Sequence, residues 1–152
     1  MVMPAPSVSD MFLSIDQEIR VKAALETTFA ALLEELGPRN QVEDGRPLPM
    51  KLEAWPGGRW YRDLGDENGH LWGFVQAIKR PTLLEITGPL FMSYAAVSNV
   101  QYRLTAADGG TLIAFRHSAM GLIIDDHRKG VRDGWTHWHE RVRRTAEAAA
   151  QV

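Results

Sequence analysis

Asp133–Arg144 reads DGWTHWHERVRR and sets two tryptophans and two histidines within the five residues Trp135–His139. At about 100° per residue, Val131, Trp135, Trp138 and Val142 fall in one narrow sector, and Thr145/Ala146 and Ala149 continue it. His139 lies on the flank beside Trp135, while His137 points away with Glu140 and Arg141. The spacing predicts one long amphipathic helix from about Asp126 to Ala150. Asp126 reads as its N-cap, and Arg141, Arg143 and Arg144 as a basic end that suits the helix dipole. A histidine pair at i, i+2 cannot close on one metal, and the zinc-type i, i+4 pair is absent, so no metal is expected here. The tryptophans therefore face inward, either as core or as the lining of a cavity, and periodicity leaves both open. Gly134 costs about 1 kcal/mol against alanine inside a helix, which marks close approach of a sheet, a neighbouring helix or a ligand.

The rest of the chain supplies what this helix packs against. FLSIDQEIRVKA alternates, with Leu13, Ile15, Ile19 and Val21 on one face, and predicts a half-buried strand. ALETTFAALLEEL follows as an amphipathic helix, stopped at Gly37-Pro38. PRNQVEDGRPLP reads as a polar connection. Short β segments then succeed one another, KLEAW, RWYRDL, HLWGFVQAI, LLEIT, VSNVQYRL and TLIAFRH, separated by turn signals such as Gly65–Gly69, Lys79-Arg80-Pro81 and Ala107–Gly110. Counting the first, about seven strands precede the long helix. This is an α+β layout, with helices covering one face of an antiparallel sheet.

Composition narrows the function. The 152 residues suit one domain with a sizeable core, and a net charge of −2 with mixed signs gives no footprint for nucleic acid or for an anionic membrane. There is no cysteine, which excludes thiol nucleophiles, disulfides and thiolate metal sites. No signal-like or membrane-spanning run is seen, so a cytoplasmic protein is expected. Met1 to about Asp10 reads as a loose tail, leaving 11–152 as the single domain.

PGGRW at Pro56–Trp60, GFVQAI with its KRP turn, LLEIT, and Gly134-Trp135 in a terminal helix occur here in one order. Together they resemble the domain family named for the activator of the heat-shock-protein-90 ATPase, within the START-like or SRPBCC superfamily. The resemblance spans about Met11 to Ala148. It implies a helix-grip fold of the birch-pollen-allergen kind, in which a curved antiparallel sheet wraps the long C-terminal helix. It also implies a second short helix in the PRNQVEDGRPLP region. The superfamily commonly holds apolar small molecules between sheet and helix; some members are cyclases or hydroxylase subunits, some act on chaperones, and some are tied to stress responses. The chaperone activator has a large additional N-terminal domain, which these ten residues do not supply.

The expected function is accordingly binding of a small apolar or aromatic molecule, with no cofactor, no metal and no catalytic residue assigned. The lining expected from strand alternation and the helix stripe is Trp72, Phe74, Met92, Tyr102, Phe115, Trp135, Trp138 and His139. Trp72 and Phe74 share a face if HLWGFVQAI alternates regularly. In TLIAFRH both faces are mixed, leaving open whether Arg116 or His117 points inward. Two rivals stand beside this reading. One is a chaperone or stress-partner module with a filled core and an exposed apolar patch. The other is a cyclase- or hydrolase-like enzyme using Tyr102, Arg116 or His117. A homodimer is a further expectation from the superfamily, and the two apolar faces of HLWGFVQAI agree with one.

Overall fold

Alternation and turn chemistry produce the sheet. The computed structural model describes residues 7–151. Seven strands, β1 (Phe12–Val21), β2 (Lys51–Leu52), β3 (Arg59–Gly65), β4 (Asn68–Lys79), β5 (Leu83–Gly88), β6 (Ala96–Ala107) and β7 (Gly110–Gly121), form one sheet in the order β1-β7-β6-β5-β4-β3-β2. All pairings are antiparallel. Two tight hairpins join β3 to β4 and β6 to β7, with positive φ at Asp66 and Glu67 and at Asp108 and Gly109. Both central residues of a type I′ turn need that conformation, which matches the right-handed twist of the strands. The helices are α1 (Leu25–Leu36) and α2 (Asp125–Ala150), the latter lying across the sheet's inner face.

Regular alternation fails in β4, and this moves a whole set of side chains. Trp60 pairs with Gly73 and Tyr61 with Leu71, so Trp72 is an extra residue, a bulge. A second shift falls between Val75 and Ala77. Trp72 and Val75 consequently both point inward, at 6% and 1% exposure, whereas Phe74 faces out at 47%. The Trp72 carbonyl accepts from Leu90 N–H, just past the end of β5, at 2.8 Å. Gly73 permits the crossing, since a Cβ there would lie 2.8 Å from the Thr87 carbonyl oxygen.

The core follows the expected stripes with two adjustments. On α2 the buried line is Val131, Trp135, His139, Val142 and Ala146; Trp138 sits on its flank and His137 is exposed. His139, not Trp138, takes the central position because the sheet meets the helix beside Tyr102 and Phe115. Trp60 is fully buried and donates its indole N–H to the Leu36 carbonyl at 2.7 Å, satisfying an orphan acceptor at the end of α1.

Several local expectations are corrected. Residues 38–50 hold turns and a single bridge, Gln41 to Pro47, with no second helix. Ile124, not Asp126, is the N-cap of α2, and Asp125 and Asp126 lie in its first turn, where carboxylates suit the helix dipole. No basic residue lies in the last turn of α2. Arg141 instead reaches α1, donating to Glu35 (3.2 Å from Nε) and to the Arg39 carbonyl. Thr145 donates to the same carboxylate at 2.7 Å. The expected tail, 1–10, falls mainly on residues outside the described range; within it, Val8–Met11 form a 3₁₀ turn, and Arg128 donates to the Phe12 carbonyl at 2.9 Å.

The Glu35 carboxylate is 3% exposed and Arg141 17% exposed, so truncating one partner strands the other in a dry helix–helix contact. Glu35→Ala is expected to lower stability by about 3 kcal/mol in urea denaturation. The paired change Glu35→Leu/Arg141→Met is expected to recover more than half of that loss.

Candidate functional site

Between the first half of α2 and β4 a cavity of about 350 Å³ opens. Four elements enclose it: the 41–48 connection, β4 through Trp72, the β5–β6 connection through Phe91, and α2 from Asp126 to Trp138. One wall is a closed aromatic quartet. Ring centroids are 5.9 Å apart for Trp72–Phe91, 6.5 Å for Phe91–Trp135, 5.0 Å for Trp135–Trp138 and 6.0 Å for Trp138–Trp72. Offset and edge arrangements of this kind are the favourable ones for aromatic rings. Gly130 and Gly134, one helical turn apart, face the same space. A Cβ on Gly130 would touch nothing within 4 Å, and one on Gly134 would come 3.3 Å from Glu43 Oε1. The two glycines thus leave open the volume that side chains would fill.

The indole N–H groups of this wall are all used within the protein. Trp72 donates to His70 Nδ1 at 3.1 Å, Trp135 to His117 Nδ1 at 2.9 Å, and Trp138 to the Gln41 carbonyl at 3.0 Å. At the rim, Glu43 and Asp126 present carboxylates. His127 lies beside them, its ring stacked on Tyr94 and its Nδ1 2.7 Å from the Tyr94 hydroxyl.

Behind the aromatic wall lies a sealed polar chain. Indole nitrogen can only donate, so His117 Nδ1 accepts and its Nε2–H donates to Ser98 Oγ at 2.9 Å. His139 has the other tautomer. Gln17 donates through its amide nitrogen to the Arg132 carbonyl and Thr136, so its oxygen faces His139 Nδ1 at 2.7 Å and must accept. His139 Nε2 then accepts from the Tyr102 hydroxyl at 3.0 Å. Burial holds His117 down to about 4 and His139 down to about 3, and it pushes the Tyr102 phenol well above its ordinary value. Both rings are neutral, and both have their nitrogens engaged.

The pocket contains Trp72, Trp135 and Trp138 of the expected lining, and not the other five. Phe74 is on the outer face because the Trp72 bulge reverses the strand's phase. Tyr102, Phe115 and His139 are packed solid beneath Trp135, with Phe115 centred 4.8 Å from the Trp135 ring. Met92 belongs to a separate small cluster with Ala119 and Ile123. In β7 the inward face is Thr111, Ile113, Phe115 and His117. Arg116 is outside, paired with Asp16 at 2.9 Å. Neither Tyr102, Arg116 nor His117 lines the pocket. Sequence reasoning did not reach Phe91, Glu43 or His127, which stand in irregular segments or at a helix start, where no period reports direction. Gly134 carried a readable signal, and Gly130 four residues earlier repeats it.

Because His117 and His139 are neutral in the folded state and titrate near 6.5 when unfolded, stability is full above that pH and falls as pH drops below it. The loss is expected to reach about 2 kcal/mol per histidine by pH 5, levelling off below pH 4 to 3. Urea denaturation at pH 7 and pH 5 checks this, and ¹⁵N spectra of the rings should show one histidine in each tautomer. A flat pH profile would mean that water reaches both rings.

Comparison with known proteins agrees with this architecture. The family model for "Activator of Hsp90 ATPase homolog 1-like protein" matches residues 22–147. Among solved structures, the protein CV1439 from Chromobacterium violaceum superposes with a TM-score of 0.69 at 15% identity, over 88% of this chain and 97% of that one. Ara h 8.0201 does so with a TM-score of 0.63 at 14% identity, over 90% and 99%. The di-domain ARO/CYC StfQ from the steffimycin biosynthetic pathway gives a TM-score of 0.65 at 14% identity, over 95% of this chain and 54% of that one. No curated protein matches the sequence significantly. Among the described residues no helix is long and apolar enough to cross a membrane. With a seven-stranded sheet gripping a long terminal helix and a family match over most of its length, the chain belongs to the Activator of Hsp90 ATPase homolog 1-like family, on the START-like helix-grip fold.

Proposed function

We propose that the protein binds a small apolar or aromatic molecule in the pocket between α2, β4 and the 41–48 connection. The observation that carries this reading is the aromatic quartet lining an open cavity of about 350 Å³, a volume in the range of small-molecule sites. The fold is one whose members often hold hydrophobic ligands, and two glycines on the facing helix keep the space free at a cost in helix stability. The cavity wall is apolar and its titratable groups, Glu43, Asp126 and His127, stand at the rim, so binding is the function this geometry supports best.

Filling the cavity tests the reading. Gly130→Leu places a side chain where nothing lies within 4 Å of its Cβ, and it replaces the poorest non-proline helix former. The variant is expected to be as stable as the parent or up to about 1 kcal/mol more so, and to lose binding of apolar probes followed by quenching of tryptophan fluorescence. Unchanged binding in a folded Gly130→Leu protein would sink this pocket as the site.

An interaction surface is the second reading, and it has its own observation. Phe12, Met120 and Val97 are direct neighbours across β1, β7 and β6 on the outer face, at 47%, 52% and 46% exposure. Leu122 and Ile124, both exposed, follow in the chain. Such a row is what a second copy or a chaperone would cover. If it is an interface, Met120→Glu is expected to shift sedimentation toward a smaller species while leaving pocket binding intact.

A further inference from the structure

We infer that the pocket selects ligands carrying a positive charge, namely an amine on an apolar or aromatic body; this rests on the pocket being the binding site. The argument is an inventory of what the cavity offers a ligand's polar end. Its indole donors are spent on His70, His117 and the Gln41 carbonyl. An anionic head would need donors, and none of these three is available to it. No lysine or arginine lines the cavity among the described residues. Arg128, on the same helix, is turned to the backbone carbonyls of Asp10 and Phe12.

What remains is weighted toward acceptors: two carboxylates, with the Gln41 amide and His127 Nε2 as the other side-chain polar groups. Glu43 and Asp126 stand on the rim, one on the 41–48 connection and one in the first turn of α2. Neither has an ion-pair partner among the described residues. Glu43 Oε1 comes close enough to α2 to meet a Cβ placed on Gly134, so this carboxylate lies over the cavity. Gln41 adds an amide that serves donor and acceptor alike. His127 has its Nδ1 engaged with Tyr94. The wall beneath is four aromatic rings, whose faces attract a cation as well as an apolar body. Carboxylates above and aromatic rings below thus favour the same charge. A neutral ligand would gain only the rings, and a carboxylate would meet two like charges.

Matched probes separate this inference from the pocket reading itself. Naphthylmethylamine, naphthylmethanol and naphthoate, with octylamine, octanol and octanoate as a second scaffold, are titrated calorimetrically into the protein at neutral pH. On at least one scaffold the amine is expected to bind at least about tenfold tighter than the carboxylate, with a gap that shrinks as salt rises. In the Glu43→Gln/Asp126→Asn variant, shown by circular dichroism to be folded, that ratio is expected to fall toward unity. Carboxylates or alcohols binding as tightly as the amines would overturn the inference while leaving the pocket as an apolar site. A preference that survives in the variant would overturn it equally. If no probe on either scaffold binds, the pocket reading falls and the inference falls with it.

Discussion

The hydrogen bond from the Trp135 indole to His117 Nδ1, 2.9 Å long and wholly buried, ties the middle of the long helix to β7, the strand beside the sheet's edge. Its direction has one solution, because an indole can only donate. That fixes the His117 tautomer and directs its other nitrogen to Ser98, while burial keeps the ring neutral. A second chain, Tyr102 to His139 to Gln17, anchors the helix one turn further on. Between the two, Phe115 packs against both Trp135 and His139. Fully satisfied buried networks of this kind specify one arrangement of helix on sheet, since any slip would strand several polar groups at once.

The same anchoring sets the pocket. Beyond Trp135 toward its N-terminus, α2 stays in contact with β1 through Arg132 and Arg128 but stands off β4, and Gly130 and Gly134 offer no side chain to bridge the gap. The sheet's contribution at that end is the bulged Trp72, thrown inward by a single extra residue, and Phe91 from the following connection. Trp138 turns its N–H to the Gln41 carbonyl and so holds the 41–48 connection against the helix. One apolar wall is therefore assembled from three separate regions of the chain. Its polar rim comes from the connection and from the helix start.

Anchoring the helix and keeping a cavity are opposed demands, and the chain divides them along α2. The half after Trp135 is clamped by His139, Val142 and Ala146 in the core and by Arg141 on Glu35 of α1. The half before it carries the glycines and the exposed carboxylates. This division places the polar histidines in a dry, rigid region and leaves recognition to the rings and acids near the surface. Strand alternation and the helix stripe put Tyr102 and His139 in the expected lining; their partners are instead one another and Gln17.

The α+β class, the order and number of strands, both helices, the turn positions and most of the inward stripe of α2 were legible in the chain. These rest on periods of 2 and 3.6 and on turn residues, which are local properties. The sequence also marked Gly134 as a place of close approach, and it brought the family into view through short motifs in order. The phase of β4 was not legible, because a bulge depends on how Trp60 and Tyr61 pair across the sheet. Only the tertiary structure decided between Arg116 and His117, since both faces of that strand carry mixed residues. The meeting of Phe91, Glu43, His127 and the tryptophans in one cavity was beyond the sequence, as residues far apart in the chain and in irregular segments have no period to relate them. The contacts that join them form only when the helix is seated on the sheet.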